Sequence, residues 1–367
     1  MYDLLSILRI RSLLLGLLVT VFATACIDEE KYNDTPSDNF EALWRIIDEK
    51  YCFLDYKHIN WDSIHSVYAA QIHPDMGPYK LFDVLCDMLA ELKDGHVNLY
   101  SSHDIGRYWN WYEDYPTNFY EDLQRYYIGT DYLIAGGLKY KILLPDSIGY
   151  IYCGSFSSPI GNANINETLY YLRKCRGLIL DMRSNSGGVL TYANRLTEHF
   201  ITERYLSGFI QYKTGSGHND FSSPEPIYID PSEGIRWLRP TAVLTNRRCY
   251  SATNWFISCM RNLPQVILVG DHTGGGSGLP FSSELPNGWK VRFSASPMSD
   301  ATGKQIEFGI PPHYEAAIRI PQDFEEHTDH IIDTAYTLLL KTFNTSPKAV
   351  TTEPDIIPPG KEEMLLR

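Results

Sequence analysis

The sequence predicts an α/β protein, with a mainly parallel sheet preceded by a small helical domain. Two observations carry this. From residue 148 on, strand-length apolar runs ("IGYIYCGSF", "RGLILDMRSN", "PTAVLTN", "QVILVGD") alternate with helical patterns ("INETLYYLRKC", "GGVLTYANRLTEHFI", "SATNWFISCMRNL", "HIIDTAYTLLLKTF"). Strands that alternate with helices are joined by crossovers and lie parallel. Before residue 100, apolar residues recur at helical spacing. With 367 residues, 44% of them hydrophobic, the chain has enough apolar material for one large core or two domains.

The N-terminus has the pattern of a targeting segment. Arg9 and Arg11 precede the apolar run "LLLGLLVTVFATA", residues 13–25. A bilayer span needs about 20 apolar residues; this run is shorter and suits a signal-peptide core. The residues Ala23, Thr24, Ala25 and Cys26 resemble a bacterial lipobox, with Ala23 where Leu is usual. That resemblance implies lipidation of Cys26 and an exported lipoprotein on the outer membrane, at its periplasmic or cell-surface face. The acidic residues that follow, Asp28, Glu29 and Glu30, are similar to the tag of surface-exported lipoproteins of the Bacteroidetes. The alternative is an ordinary secretory signal with a chance cysteine.

Residues 1–26 are thus expected to be a signal peptide and 27–38 a polar tether. The net charge of −13 gives no electrostatic footprint for nucleic acid. Beyond Cys26, six cysteines are scattered without a CxxC pair. An exported setting permits disulfides, and buried free thiols fit the spacing equally well.

Residues 39–100 are expected to form the helical domain. Phe40, Leu43, Trp44, Ile46 and Ile47 mark a first helix, with Asp38 or Asn39 as its N-cap. A second runs near 61–71. A third carries Leu81, Val84, Leu85, Met88, Leu89 and Leu92 on one side and is expected to end at Gly95. Residues 101–147 are crowded with aromatics and include a β-hairpin about Gly136 and Gly137. The aromatics read either as a ligand platform or as packing against the core. Residues 148–343 form the expected α/β core, and the Pro-rich 344–367 a loose tail. No internal repeat is visible.

In open α/β folds ligands gather at the carboxyl ends of strands. Three strand-to-helix junctions stand out there: "LDMRSNSGGVL", "LTNRRCYSATN" and "VGDHTGGGSG". In the first, Gly187 and Gly188 open a helix whose initial N–H groups lack internal partners, as an oxyanion hole requires; a tight turn without a ligand is the alternative. In the second, Ser251 starts a helix, where its own N–H or that of Ala252 can face the cleft. Taken alone, Ser251 reads as a nucleophile or as a simple N-cap.

Five motifs in order, "KDGHV" (93–97), "LILDMRSNSGG" (178–188), "VLTNRRCYSA" (243–252), "VGDHTGG" (269–275) and "GIPPH" (309–313), resemble the C-terminal processing, or tail-specific, serine proteases, whose wider group includes the tricorn core protease. The resemblance covers about residues 39–343. It implies a crotonase-like (ClpP-like) spiral α/β core and Ser251 as nucleophile. Many members pair the serine with a lysine in "T-x-G-K-G"; Gly276 holds that place here, and no lysine follows nearby until Lys290. A serine hydroxyl needs a base, and likeness to the tricorn-like branch supplies His96 from "KDGHV". It also implies Glu307, just before "GIPP", as the group that orients the imidazole. His272 and His313 remain rival bases. Gly95 stands where tricorn has a participating serine, leaving that role vacant or filled from elsewhere. The span from His96 to Ile148 is too short for the peptide-binding PDZ domain that many relatives carry.

The implied function is a serine endopeptidase. It would cleave peptides or unfolded-protein tails outside the cytoplasm through an acyl-enzyme. Ser251 and His96 would be the reacting pair, with Gly187 or Gly188 and Ala252 as the oxyanion hole. No His/Cys/Asp cluster has metal-ligand spacing, so neither metal nor cofactor is expected. The alternatives are a peptide-binding lipoprotein without catalysis on the same scaffold, or an acyl hydrolase acting on esters.

Overall fold

The computed structural model describes residues 32–144 and 148–345. The signal segment, Cys26 and the loose tail beyond residue 345 lie outside the described residues. The described residues open with three helices, α1 (Pro36–Lys50), α2 (Trp61–Ala69) and α3 (Pro78–Ala90). The N-cap of α1 is Thr35, not Asp38 or Asn39: its hydroxyl accepts the Asp38 N–H, and Pro36 takes the first turn, where its missing N–H costs nothing. The third helix stops at Ala90 rather than Gly95. Then come β1 (Asn98–Tyr100), β2 (Ile105–Arg107), α4 (Asn110–Glu113), α5 (Glu121–Ile128), β3 (Leu133–Ala135) and β4 (Leu138–Leu144). The core continues with β5 (Ile148–Cys153), α6 (Asn162–Tyr171), β6 (Gly177–Asp181), α7 (Leu190–Glu198), β7 (Tyr205–Ile210), β8 (Glu225–Ile229), β9 (Thr241–Thr245), α8 (Ala252–Arg261) and β10 (Val266–Gly270). It closes with β11 (Gly278–Glu284), β12 (Lys290–Asp300), β13 (Tyr314–Glu315), α9 (Gln322–Glu326) and α10 (His330–Thr345).

The larger sheet runs β13-β10-β9-β6-β5-β4-β3. Its pairs from β13 to β5 are parallel, and β4 and β3 are antiparallel. Alternation along each strand divides the side chains between two faces. Leu178 and Leu180 of β6, with Val243 of β9, meet α6, α7 and α8 through Ile165, Leu196 and Phe256. Ile179, Ala242 and Leu244 point the other way, onto Ile331, Ala335 and Leu339 of α10. A parallel sheet needs this double cover.

A second sheet, β2-β1-β12-β7-β8 with β11 also on β12, is antiparallel and was not anticipated. It changes the standing of the helical domain. Phe40, Leu43, Leu85 and Met88 from the helices share one cluster with Leu285, Trp289, Val291 and Phe293 from β12 and the turn before it. The N-terminal helices therefore complete their core with residues some 200 positions downstream. The six described cysteines are all free thiols.

Arg183, from "LDMRSN", is fully buried. Its guanidinium holds Asp181 (2.7 and 2.9 Å) and, through one nitrogen, both oxygens of Asp329 (2.9 and 3.0 Å). Asp329 also accepts the Ile331 and Ile332 N–H groups at the start of α10. The motif thus pins the last helix to the sheet. Removing one member of a buried ion pair leaves the other charge uncompensated. Arg183→Met is expected to lower unfolding free energy by about 3–5 kcal/mol in a denaturant titration. A loss under about 1 kcal/mol would contradict this account of the junction.

Candidate active site

The three junctions at the carboxyl ends of β6, β9 and β10 meet and are laced by backbone bonds. Tyr250 N–H donates to Asn185 O (3.2 Å), Ser251 N–H to Gly275 O (2.9 Å) and Gly274 N–H to Cys249 O (2.8 Å). Side chains reinforce them: Asn246 Oδ1 accepts the Ser184 N–H, and Asn254 Oδ1 accepts the Thr273 hydroxyl. Ser251 sits at the turn into α8 with φ +57° and ψ −123°. A side chain rarely adopts positive φ, and such strain concentrates where function over-determines the backbone. Ser251 holds the N-cap position without capping: its hydroxyl makes no bond to the helix.

That hydroxyl lies 2.9 Å from His96 Nε2, across 155 sequence positions. His96 is brought there by a turn after α3. Asp94 O accepts the Val97 N–H (3.0 Å), and Asp94 Oδ1 accepts the His96 N–H (2.8 Å). An Asp carboxylate that bonds the backbone two residues on is a standard way to fix such a turn. The rival histidines are engaged elsewhere. His272 Nδ1 lies 3.0 Å from Thr273 O, and His313 Nδ1 accepts the Leu268 N–H. A Cβ at Gly276 would come within 2.4 Å of Tyr250 Cζ, so the place of the family lysine has no room for a side chain.

The expected oxyanion donors need correction. Gly187 N–H already donates to Asn185 Oδ1 (3.0 Å), and Ser251 N–H is taken as above. Gly187 instead lets the backbone pass close, because a Cβ there would stand 2.8 Å from Ser251 Cβ. The N–H groups of Gly188 and Ala252 have no acceptor among the described residues, and both residues line the pocket beside Ser251. They are the available pair. This pocket, about 180 Å³, is walled by Leu190, Trp255, Met298 and Ile306, with Ser277 and Arg292 as polar members.

Glu307 is buried next to the site but does not touch His96. Its carboxylate pairs with Lys57 (2.8 Å) and accepts the Ser277 N–H (2.8 Å). Sequence reading missed three members of this network. Lys57 comes from the segment between α1 and α2. Asp94 accepts the Tyr51, Tyr250 and Ser294 hydroxyls besides the His96 N–H. Ser294 comes from β12. Only Asp94 had a signal, as the acid of "KDGHV". Burial alone would raise the Asp94 carboxyl; Lys57 at 3.7 Å, His96 and the hydrogen bonds overcome this and hold it well below the usual carboxylate range. Burial raises Glu307 against the opposing pull of Lys57. Lys57 itself is lowered by burial and lifted above its ordinary value by the two carboxylates, so it stays protonated and cannot serve as a base.

The aromatic segment is fastened over the loop that precedes Ser251. Trp111 stacks on Tyr250 at 4.1 Å between centroids, and Arg247 Nε donates to Trp111 O. Trp111 and Phe119 are buried and pack against the core, while Trp109, Tyr115 and Tyr126 are exposed.

A hydroxyl on a strained strand-to-helix turn, an imidazole at hydrogen-bond distance and two free N–H groups beside them form the arrangement of a serine hydrolase. The peptidase family S41 pattern matches residues 147–316, and the tricorn protease C1 domain pattern matches residues 32–90. A candidate peptidase of Parabacteroides merdae, known from a crystal structure, is 54% identical, with a TM-score of 0.82 over 85% of this chain and 99% of that one. The chain belongs to peptidase family S41. The carboxy-terminal processing protease CtpA of Bacillus subtilis is 26% identical over 182 residues, which are 49% of this chain and 37% of that relative, so the matched region spans little more than a third of its length. Mature CPAF shares the fold, with a TM-score of 0.64 at 11% identity over 85% of this chain and 99% of that one.

Burial pushes the His96 imidazole down to about 4; Asp94 opposes this, and Arg292 and Lys57 add to it. A titration of the His96 ring by NMR is expected to show it neutral from pH 7 down to about 4. The folded value lies below the ordinary 6.5, so the unfolded chain takes up this proton first. The stability that neutral His96 contributes is present above about pH 6.5 and is lost as pH falls toward 4. A ring that titrates at 6.5 or higher would contradict the described environment.

Proposed function

We propose that the chain is a serine endopeptidase in which Ser251 is the nucleophile and His96 its base. The observation that carries the reading is the 2.9 Å contact between Ser251 Oγ and His96 Nε2. Ser251 Oγ attacks the scissile carbonyl as its proton passes to His96 Nε2. The oxyanion is received by the Gly188 and Ala252 N–H groups. The imidazolium then gives its proton to the leaving amine, and an acyl-enzyme remains. Water attacks the ester as His96 takes its proton, and the acid is released with Ser251 restored. With the lipid anchor expected at Cys26, substrates are met outside the cytoplasm.

The pocket beside Ser251 supports a preference for the residue whose carbonyl is attacked. Leu190, Trp255, Met298 and Ile306 form an apolar wall around about 180 Å³, a space that fits a Leu, Met or Phe side chain. A Lys or Arg side chain there would lose hydration and meet Arg292 besides.

A peptide library digested by the protein and read by mass spectrometry, alongside labelling by a fluorophosphonate probe, tests the reading. Cuts after medium-sized apolar residues are expected, with label on Ser251 and neither signal from Ser251→Ala. Ester cleavage without peptide cleavage would replace the endopeptidase with an acyl hydrolase. Absence of both cleavage and label in the wild type would leave a peptide-binding protein.

A further inference from the structure

An imidazole that is to accept a proton at Nε2 must carry its own proton on Nδ1, and that N–H needs an acceptor to hold it there. The described residues offer one polar atom within hydrogen-bond reach of His96 Nδ1: Ser294 Oγ, at 3.5 Å. This hydroxyl spends its own hydrogen on Asp94 Oδ2, 2.9 Å away, so toward the ring it has only lone pairs to present. The directions then agree along the whole chain. Ser251 O–H points to Nε2, Nδ1–H to Ser294 Oγ, and Ser294 O–H to the Asp94 carboxylate.

The surroundings leave Ser294 little freedom. It is fully buried, and its carbonyl accepts the Cys52 N–H (3.0 Å), which ties that point of β12 to the segment after α1. Gly278 on the neighbouring strand makes room for it: a Cβ there would lie 2.6 Å from Ser294 Oγ. No hydroxyl can come from the residue before His96, because a Cβ on Gly95 would meet Trp111 Nε1 at 2.6 Å. Asp94 is held in turn by the Tyr51 and Tyr250 hydroxyls (2.9 and 3.1 Å) and by Lys57. Glu307 is committed to Lys57 and Ser277.

We propose that Ser294 and Asp94 are the positioning residues of this site. The Ser294 hydroxyl, donating to Asp94 and accepting from His96 Nδ1–H, holds the imidazole in the tautomer whose Nε2 takes the Ser251 proton. This deepens the peptidase reading and rests on it. The long 3.5 Å contact belongs to the neutral ring. When Nε2 gains its proton the Nδ1–H becomes more acidic and the contact shortens, as charge-assisted bonds do. The Asp94 charge then faces the imidazolium through a hydroxyl that relays its polarity without itself ionising.

The test pairs kinetics with imidazole ¹⁵N spectroscopy of His96 in wild type, Ser294→Ala, and the equal-shaped variants Ser294→Thr and Ser294→Val. Loss of the hydroxyl in Ala and Val is expected to turn the Nδ1–H signal into a mixture of tautomers. It should also lower kcat about 10- to 100-fold, part of the 10²–10⁴ that a positioned base supplies, with KM little changed. Ser294→Thr should recover most of both. If Ser294→Ala does not fold, the Thr and Val pair gives the same comparison at constant volume. Unchanged tautomer and unchanged kcat in the variants without the hydroxyl would overturn the proposal. A wild type that cuts no peptide while its His96 tautomer still depends on the hydroxyl would uphold the positioning and remove the peptidase reading.

Discussion

The contact between His96 and Ser251 depends on one constraint: residues 32–100 must dock on the second sheet. β1 follows His96 by two residues and pairs with β12. The helices α1 and α3 share their apolar cluster with β12 and the turn before it. The N-terminal helices therefore share their core with β12 and the turn before it, and that shared core fixes where the ring stands relative to the hydroxyl. On the proposed mechanism, a change that loosens the helices is a change in catalytic geometry, because a base displaced by an ångström no longer lies in line with the proton it takes.

Burial of charge near the site follows from the same docking. Lys57, Asp94 and Glu307 are all shielded from water. Ionised groups tolerate this only when paired and hydrogen-bonded. The carboxyl groups of Asp94 and Glu307 flank the Lys57 ammonium close to His96, and Arg292 stands on the pocket side. Burial still dominates the imidazole, so the resting ring is neutral while a stabilising carboxylate waits behind Ser294. That combination suits the proposed role of His96, a base that must be free at rest and comfortable when charged.

Much of this was legible in the sequence, for physical reasons. β5, β6, β9 and β10 are apolar runs buried on both faces, a pattern that strands of a parallel sheet impose. The helices between them keep their apolar periodicity. Ser251 and His96 stood in short motifs whose order along the chain located them. Glu307 was expected to orient the imidazole, and its carboxylate is instead engaged by Lys57 and the Ser277 N–H. The second sheet was hidden because β8 and β11 are half-exposed strands rich in polar residues and proline. Gly187 and Gly188 could not be told apart, since the difference lies in which N–H the Asn185 side chain occupies. Lys57 and Ser294 carried no local signal at all. Ser294 meets Asp94 across 200 positions, and only the folded chain reports such a meeting.

On the proposed mechanism, an imidazole from the N-terminal part activates a hydroxyl of the core. The most direct measurement is the rate of peptide hydrolysis by His96→Ala, with folding verified by its melting profile. A fall of at least about a hundredfold is predicted, the lower end of what a positioned base contributes. Hydrolysis at the wild-type rate would contradict the account.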